Sequence, residues 1–115
     1  MIKLLASDLD GTIIDNYNQV TNEDLQVIHK LSNTNVSFAV CTGKTYSMTK
    51  HICNKLNPTY GIFGNGTQIV NLKTGEEIKR NVVPNFKAIE CLKIAEKNHL
   101  HIHIYTEDKI ISQQQ

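Results

Sequence analysis

Two aspartates, Asp8 and Asp10, stand two positions apart in "LLASDLDGTII", residues 4–14, a run otherwise apolar or small. Two unit charges about 4 Å apart repel by roughly 4 kcal/mol at an effective dielectric near 20, so such a pair either keeps one proton or holds a cation. Both states are chemically useful. A carboxylate pair offers hard oxygen ligands to Mg²⁺, which also neutralises a phosphoryl group. An ionised Asp8 can attack phosphorus to form an aspartyl phosphate, while Asp10 protonates the leaving oxygen and then activates water. Gly11 lets the backbone turn tightly beside an anion. The competing reading is a plain strand-ending turn, because Asp-Gly is among the commonest turn dipeptides. The ordered string of apolar strand, Asp, apolar residue, Asp, Gly, Thr favours the catalytic one.

The elements that would carry this pair follow from periodicity. Ile2 to Ala6 form a nearly continuous apolar run, which suits a central parallel strand buried on both faces. Thr21 and Asp24 can cap a helix that carries Leu25, Ile28 and Leu31 at helical spacing. "VSFAVCTG", residues 36–43, reads as a second strand, and residues 45–56 resume a helical period that Asn57-Pro58 closes. Alternating strands and helices imply a parallel sheet with ligands at the carboxyl ends of its strands, where both "DLDGT" and "CTGK" fall. "YGIFGNG", residues 60–66, continues as a third strand ending in a Gly-rich turn, and residues 67–83 alternate around Lys73-Thr74-Gly75 as a β-hairpin. After a linker near Val83 to Asn85, residues 85–98 carry a helical stripe and "LHIHIYT" alternates as a half-buried strand, with "SQQQ" as a frayed tail.

"DLDGT", residues 8–12, resembles the first motif of the haloacid dehalogenase superfamily, and "CTGK", residues 41–44, resembles its second. The resemblance implies a Rossmann-like core, Asp8 as nucleophile, Asp10 as acid/base, Asp8 and Asp10 as Mg²⁺ ligands, and Thr42 as the anchor of the transferring phosphoryl group. A hydroxyl beside Gly43 and a helix N-terminus is also a sound anion donor on physical grounds. The short interval between the motifs, "GIFGNGTQI" at 61–69 and the hairpin are similar to the Cof-type (class IIB) branch, whose cap domain follows the second motif. Asn65 then either lines the substrate site or sits in an ordinary Asn-Gly turn. Lys44 stands where that branch commonly has Arg; it lacks the planar bidentate fork but can still steer an anion. On this basis residues 1–83 are the N-terminal part of the core, and residues 84–115 are the first elements of an incomplete α+β cap.

No lysine placed as the family's third motif and no "GDxxxD"-like segment follows; Glu107-Asp108 reads as solvated surface. The expectation is a truncated chain or fragment whose sheet leaves an edge and an apolar face uncovered, to be covered by self-association or a complementing segment. Three functions stay open. They are a phosphatase acting on a small phosphorylated metabolite such as a sugar phosphate, an inactive remnant or phosphate-binding subunit, and, more distantly, a phosphomutase.

The composition agrees with small-molecule chemistry. Of 115 residues, 40% are apolar and 20% charged, with a net charge of +1, so there is no basic footprint for nucleic acid or an anionic membrane. Cys41, Cys53 and Cys91 show no CxxC spacing, which fits a reducing cytoplasm better than a disulfide framework or zinc site. The apolar stretch before Asp8 is too short for a signal segment or membrane span. His99, His101 and His103 alternate along the last expected strand, and a solvent-facing row is favoured over a metal site. Cys41 reads as a small buried residue.

Overall fold

A computed structural model describes residues 1–112. Strands β1 (Leu4–Asp8), β2 (Ser37–Cys41) and β3 (Tyr60–Phe63) pair in parallel, and β4 (Gln68–Asn71) and β5 (Glu77–Arg80) extend the sheet antiparallel, in the order β1-β2-β3-β4-β5. Helix α1 (Asn22–Leu31) links β1 to β2, and α2 (Tyr46–Leu56) links β2 to β3. The Rossmann-like α/β reading of the sequence is therefore correct, and so is the hairpin around Gly75. The hairpin turn is locked by the Asn71 side-chain oxygen, which accepts from the Lys73 and Thr74 amides.

The two helices are held differently. In α2, Thr49, Ile52, Cys53 and Leu56 are buried, and each fully buried aliphatic side chain contributes roughly 1.5–3 kcal/mol. Buried Thr49 is satisfied within the helix, donating to the carbonyls of Thr45 and Tyr46. In α1 no residue is fully buried; Leu25, Ile28 and Leu31 lie half-buried against the core. Its start is fixed by Thr21, whose hydroxyl accepts from the Asp24 amide at 3.1 Å and donates to the Asp24 carboxylate at 2.7 Å, a cap worth about 1 kcal/mol. The core collects Leu9 and Ile14 from the loop after β1, Phe38 and Val40 from β2, Phe63 from β3 and Val70 from β4 around α2.

One expectation fails at β1. Its apolar run suggested a central strand, yet β1 is the edge of the sheet, and Leu4 and Leu5 are 51% and 43% exposed. Phe38, Ala39 and Val40 are buried instead, so β2 is the strand covered on both faces. An apolar run specifies that a strand can be covered, whereas burial also needs a neighbour on the far side, which the described residues do not supply. The expected uncovered edge is thus found.

After Pro84, α3 (Asn85–Lys97) is followed by a two-stranded antiparallel sheet of β6 (His103–Tyr105) and β7 (Ile110–Ser112). Two readings are corrected here. Ser112 was expected in a frayed tail but pairs with His103 in β7; glutamines 113–115 of that tail lie outside the described residues. The expected strand over "LHIHIYT" is shortened to His103–Tyr105, because His99 takes the left-handed conformation (φ 53°) just past α3; of the three histidines His103 alone lies in the strand. His101 and His103 are exposed, with ring centroids 4.6 Å apart edge to face. Only Ala95 of α3 is buried. The radius of gyration, 16.8 Å, exceeds the roughly 13 Å of a compact chain this long, as expected when α3, β6 and β7 project from the main sheet.

Candidate active site

The parallel register sets Asp8 beside Cys41 and Cys41 beside Ile62, so the loops after β1, β2 and β3 leave the sheet at one level. Leu9, fully buried, anchors the first loop. Its carbonyl accepts from the amides of Thr12, Ile13 and Ile14, while Gly11 takes a φ of 71° that a side chain would strain. Alternation about buried Leu9 leaves both flanking aspartates at the surface. One oxygen of Asp8 accepts from the Leu9 amide at 2.8 Å.

The second and third loops are tied by main-chain bonds. The Thr42 amide donates to the Ile62 carbonyl at 2.9 Å, the Gly64 amide to the Lys44 carbonyl at 3.0 Å, and the Asn65 amide to the Thr42 carbonyl at 3.3 Å. Thr42 is buried, and its hydroxyl accepts from the Lys44 amide at 3.1 Å, a turn that leads into α2. Asn65 is left-handed (φ 56°), and its side chain lies over Gly43 so closely that a β-carbon there would come within 3.0 Å of Asn65 Oδ1. Asp8, Thr42, Gly43 and Asn65, with Cys41, Ile62 and Gly66, line one open pocket of about 350 Å³. Burial, and then the charge of Asp8, push the Cys41 thiol up, so a neutral, half-buried SH borders the aspartate; the expected buried position is only partly met.

Asp10 and Lys44 do not line the pocket that holds Asp8. Lys44 Nζ lies 2.5 Å from Asp10 Oδ1 and donates to Asn18 Oδ1 at 3.1 Å. The cation beside Asp10 is thus the Lys44 ammonium. Both residues line a second, larger cleft of about 930 Å³, which shares Gly43 and Asn65 with the first pocket and runs between β5, α2, α3 and β6. Sequence reasoning missed Asn18, whose only signal was its place in the polar turn "DNYNQ". Glu107 is exposed, as its reading as solvated surface expected, and it bonds Arg80 across 27 residues, at 3.1 Å from Nη2. Glu77 holds the other side of the same guanidinium, and the hydrogen bonds of Arg80, then of Gln68, bring the Glu77 carboxyl down to about 2.

For a divalent cation, the Asp8 carboxylate and the Asp10 main-chain carbonyl are hard oxygens of the kind Mg²⁺ selects. They fit it in kind and would supply two of its six oxygens; among the described residues no group of three or more His, Cys, Asp or Glu side chains converges. Nor is any helix among the described residues long and apolar enough to cross a membrane.

Fold and loops together define a Rossmann-like α/β protein with a ligand pocket at the carboxyl ends of its parallel strands. The chain belongs to the haloacid dehalogenase-like hydrolase family, whose model matches residues 5–115. It is 26% identical over 123 residues to YxeH of Bacillus subtilis, covering 98% of this chain and 46% of that protein. It is 28% identical over 109 residues to the HMP-PP phosphatase of Shigella flexneri, covering 94% and 40%. A haloacid dehalogenase-like hydrolase from Bacteroides thetaiotaomicron has the same fold over 99% of this chain and 44% of its own, with a TM-score of 0.85 at 22% identity. The chain therefore spans less than half the length of these relatives. The superfamily resemblance read from "DLDGT" and "CTGK" is borne out.

Proposed function

We propose that this chain carries the nucleophile-bearing part of a Mg²⁺-dependent phosphatase site that hydrolyses a small phosphorylated metabolite. The observation that supports it is the single pocket shared by Asp8, Thr42, Gly43 and Asn65 at the strand ends. Asp8 attacks phosphorus, and the ester oxygen leaves with a proton from Asp10. Water then attacks the aspartyl phosphate, gives its proton to Asp10 and releases phosphate with Asp8 restored. The Thr42 hydroxyl holds the transferring group, the Asn65 amide borders it, and Lys44 orients the Asp10 carboxyl at the cleft mouth. Mg²⁺, held by Asp8 and the Asp10 carbonyl, supplies neutralising charge when bound. In this reading residues 1–83 belong to the core and 84–115 begin a cap that covers the site. The three free cysteines suit a reducing cytoplasm, and the open edge of β1 suits pairing with a strand of a second copy or a complementing segment.

A second reading, a phosphate-binding chain without turnover, is favoured by the two-oxygen metal site alone. The two separate on one assay. The 115-residue chain is incubated with an aryl phosphate and Mg²⁺ beside Asp8→Asn; turnover lost in the variant supports the phosphatase, and no turnover from folded chain supports the binding protein.

A further inference from the structure

The loop after β1 folds back on itself before α1 begins. Buried Ile14 bridges to Asp10 on one side and to Val20 on the other, so the polar turn "DNYNQ", residues 15–19, is closed at its base. Asp15 fastens it from within. Its carboxylate accepts from the Tyr17 and Gln19 amides, each at 2.8 Å, and its carbonyl accepts from the Asn18 amide at 3.0 Å. This leaves Asn18 left-handed (φ 56°), a conformation that asparagine adopts more readily than most residues. From this fixed backbone the Asn18 Oδ1 accepts from Lys44 Nζ at 3.1 Å, and the same ammonium lies 2.5 Å from Asp10 Oδ1.

Lys44 carries three donors on a flexible stem, and its position is a matter of competition. Its main-chain amide donates to the Thr42 hydroxyl, so the stem begins beside the pocket that takes the phosphoryl group. A phosphate dianion bound there would attract the ammonium more strongly than one carboxylate does. The pair with Asp10 is partly exposed, its two side chains 29% and 49% accessible, and such a pair alone holds weakly. Asn18 engages a second donor of the same ammonium and fixes its direction. Being neutral, it adds this hold without charge that would repel an incoming phosphate. We infer that Asn18 is a positioning residue, which keeps the Lys44 ammonium on Asp10 and away from the phosphate pocket. The Asp10 carboxyl thereby keeps its aim through both proton transfers. This rests on the phosphatase reading above and adds a residue to its machinery.

The test reads binding apart from turnover. Titration calorimetry with inorganic phosphate gives Kd, and hydrolysis of an aryl phosphate with Mg²⁺ gives kcat and KM. Both are measured on the wild-type chain, Asn18→Gly, Lys44→Met and the double variant. Glycine keeps the left-handed backbone at residue 18 and removes only the side-chain acceptor, so the turn should fold. Asn18→Gly should lower kcat by about tenfold or more, since a small misplacement of the acid/base is costly. It should also tighten the phosphate Kd and lower KM by about two- to fivefold, because the freed ammonium moves from Asp10 to the anion. In the Lys44→Met background both effects of Asn18→Gly should vanish, as they must if Asn18 acts through Lys44. A wild-type kcat, an unchanged or weaker phosphate Kd, or effects that persist beside Lys44→Met overturn the inference and leave the phosphatase standing. Tighter phosphate through Lys44 with no turnover by any chain overturns the phosphatase reading alone, and no turnover with unaltered phosphate binding overturns both.

Discussion

Leu9→Ala removes about three buried carbons from between the two aspartates, a transfer loss of roughly 2.4 kcal/mol at about 0.8 kcal/mol per CH₂. Leu9 is 0% exposed and packs in a core with Ile14, Phe38, Val40 and Phe63, so the space it leaves cannot fill with water. The added cavity brings the expected cost to about 3–5 kcal/mol. A chain of this length has only about 6–17 kcal/mol of stability in total. The midpoint of thermal unfolding, followed by far-ultraviolet circular dichroism, should therefore fall by at least about 10 °C. Val27→Ala, on the exposed face of α1, is the control and should stay within about 0.5 kcal/mol of wild type. A loss below about 1 kcal/mol for Leu9→Ala would refute the argument, since alternation about a packed Leu9 is what turns both aspartates to the surface.

Three further outcomes are expected. Gly61→Ala places a β-carbon 2.3 Å from the buried Phe63 ring and should cost about 1–3 kcal/mol in urea denaturation; an unchanged midpoint would show that the ring is free to yield. Because the Glu77 carboxyl is held at about 2, below its ordinary 4.5, its share of stability is complete above pH 4.5 and is lost as pH falls towards 2. Carboxyl titration by NMR should show this, and Arg80→Gln should return Glu77 towards the ordinary range; a wild-type value near 4.5 would contradict the Arg80 contact. Ellman's reagent at neutral pH should modify exposed Cys91 first and Cys53 only after unfolding, since burial both shields the Cys53 thiol and pushes it up. Modification of Cys53 before unfolding, located by peptide mapping, would mean that α2 is not anchored as described.

Much of the fold was legible because local signals and long-range order agreed. Thr21 and Asp24 cap α1 where their spacing said, and Gly75 turns the hairpin with its φ of 77°. The elements misjudged are those whose state depends on a neighbour. Ile2 to Ala6 look like a covered strand in any sequence window, but coverage is a property of the sheet. His99 alternates with His101 and His103 in sequence, yet it is claimed by the end of α3, a competition that a pattern of period two does not register. At the candidate site, residue types revealed Asp8, Asp10, Thr42, Gly43, Lys44 and Asn65. Their division between two pockets was not legible, because it depends on where Asp10 finds its partner. Lys44, 34 positions away, is that partner, and Asn18 steadies it.

The edge position of β1 also sets a timescale. Among the described residues β1 is hydrogen-bonded on one side only, so its opening breaks the β1–β2 ladder alone, while the β2–β3, β3–β4 and β4–β5 ladders remain. Local opening of the strand that carries Asp8 should then be more frequent than global unfolding, and amide hydrogens from Leu5 to Asp8 should exchange faster than those of β2. An anion held by the pocket favours the closed strand in proportion to its affinity, so occupancy would be readable as slowed exchange along β1 before any product is formed.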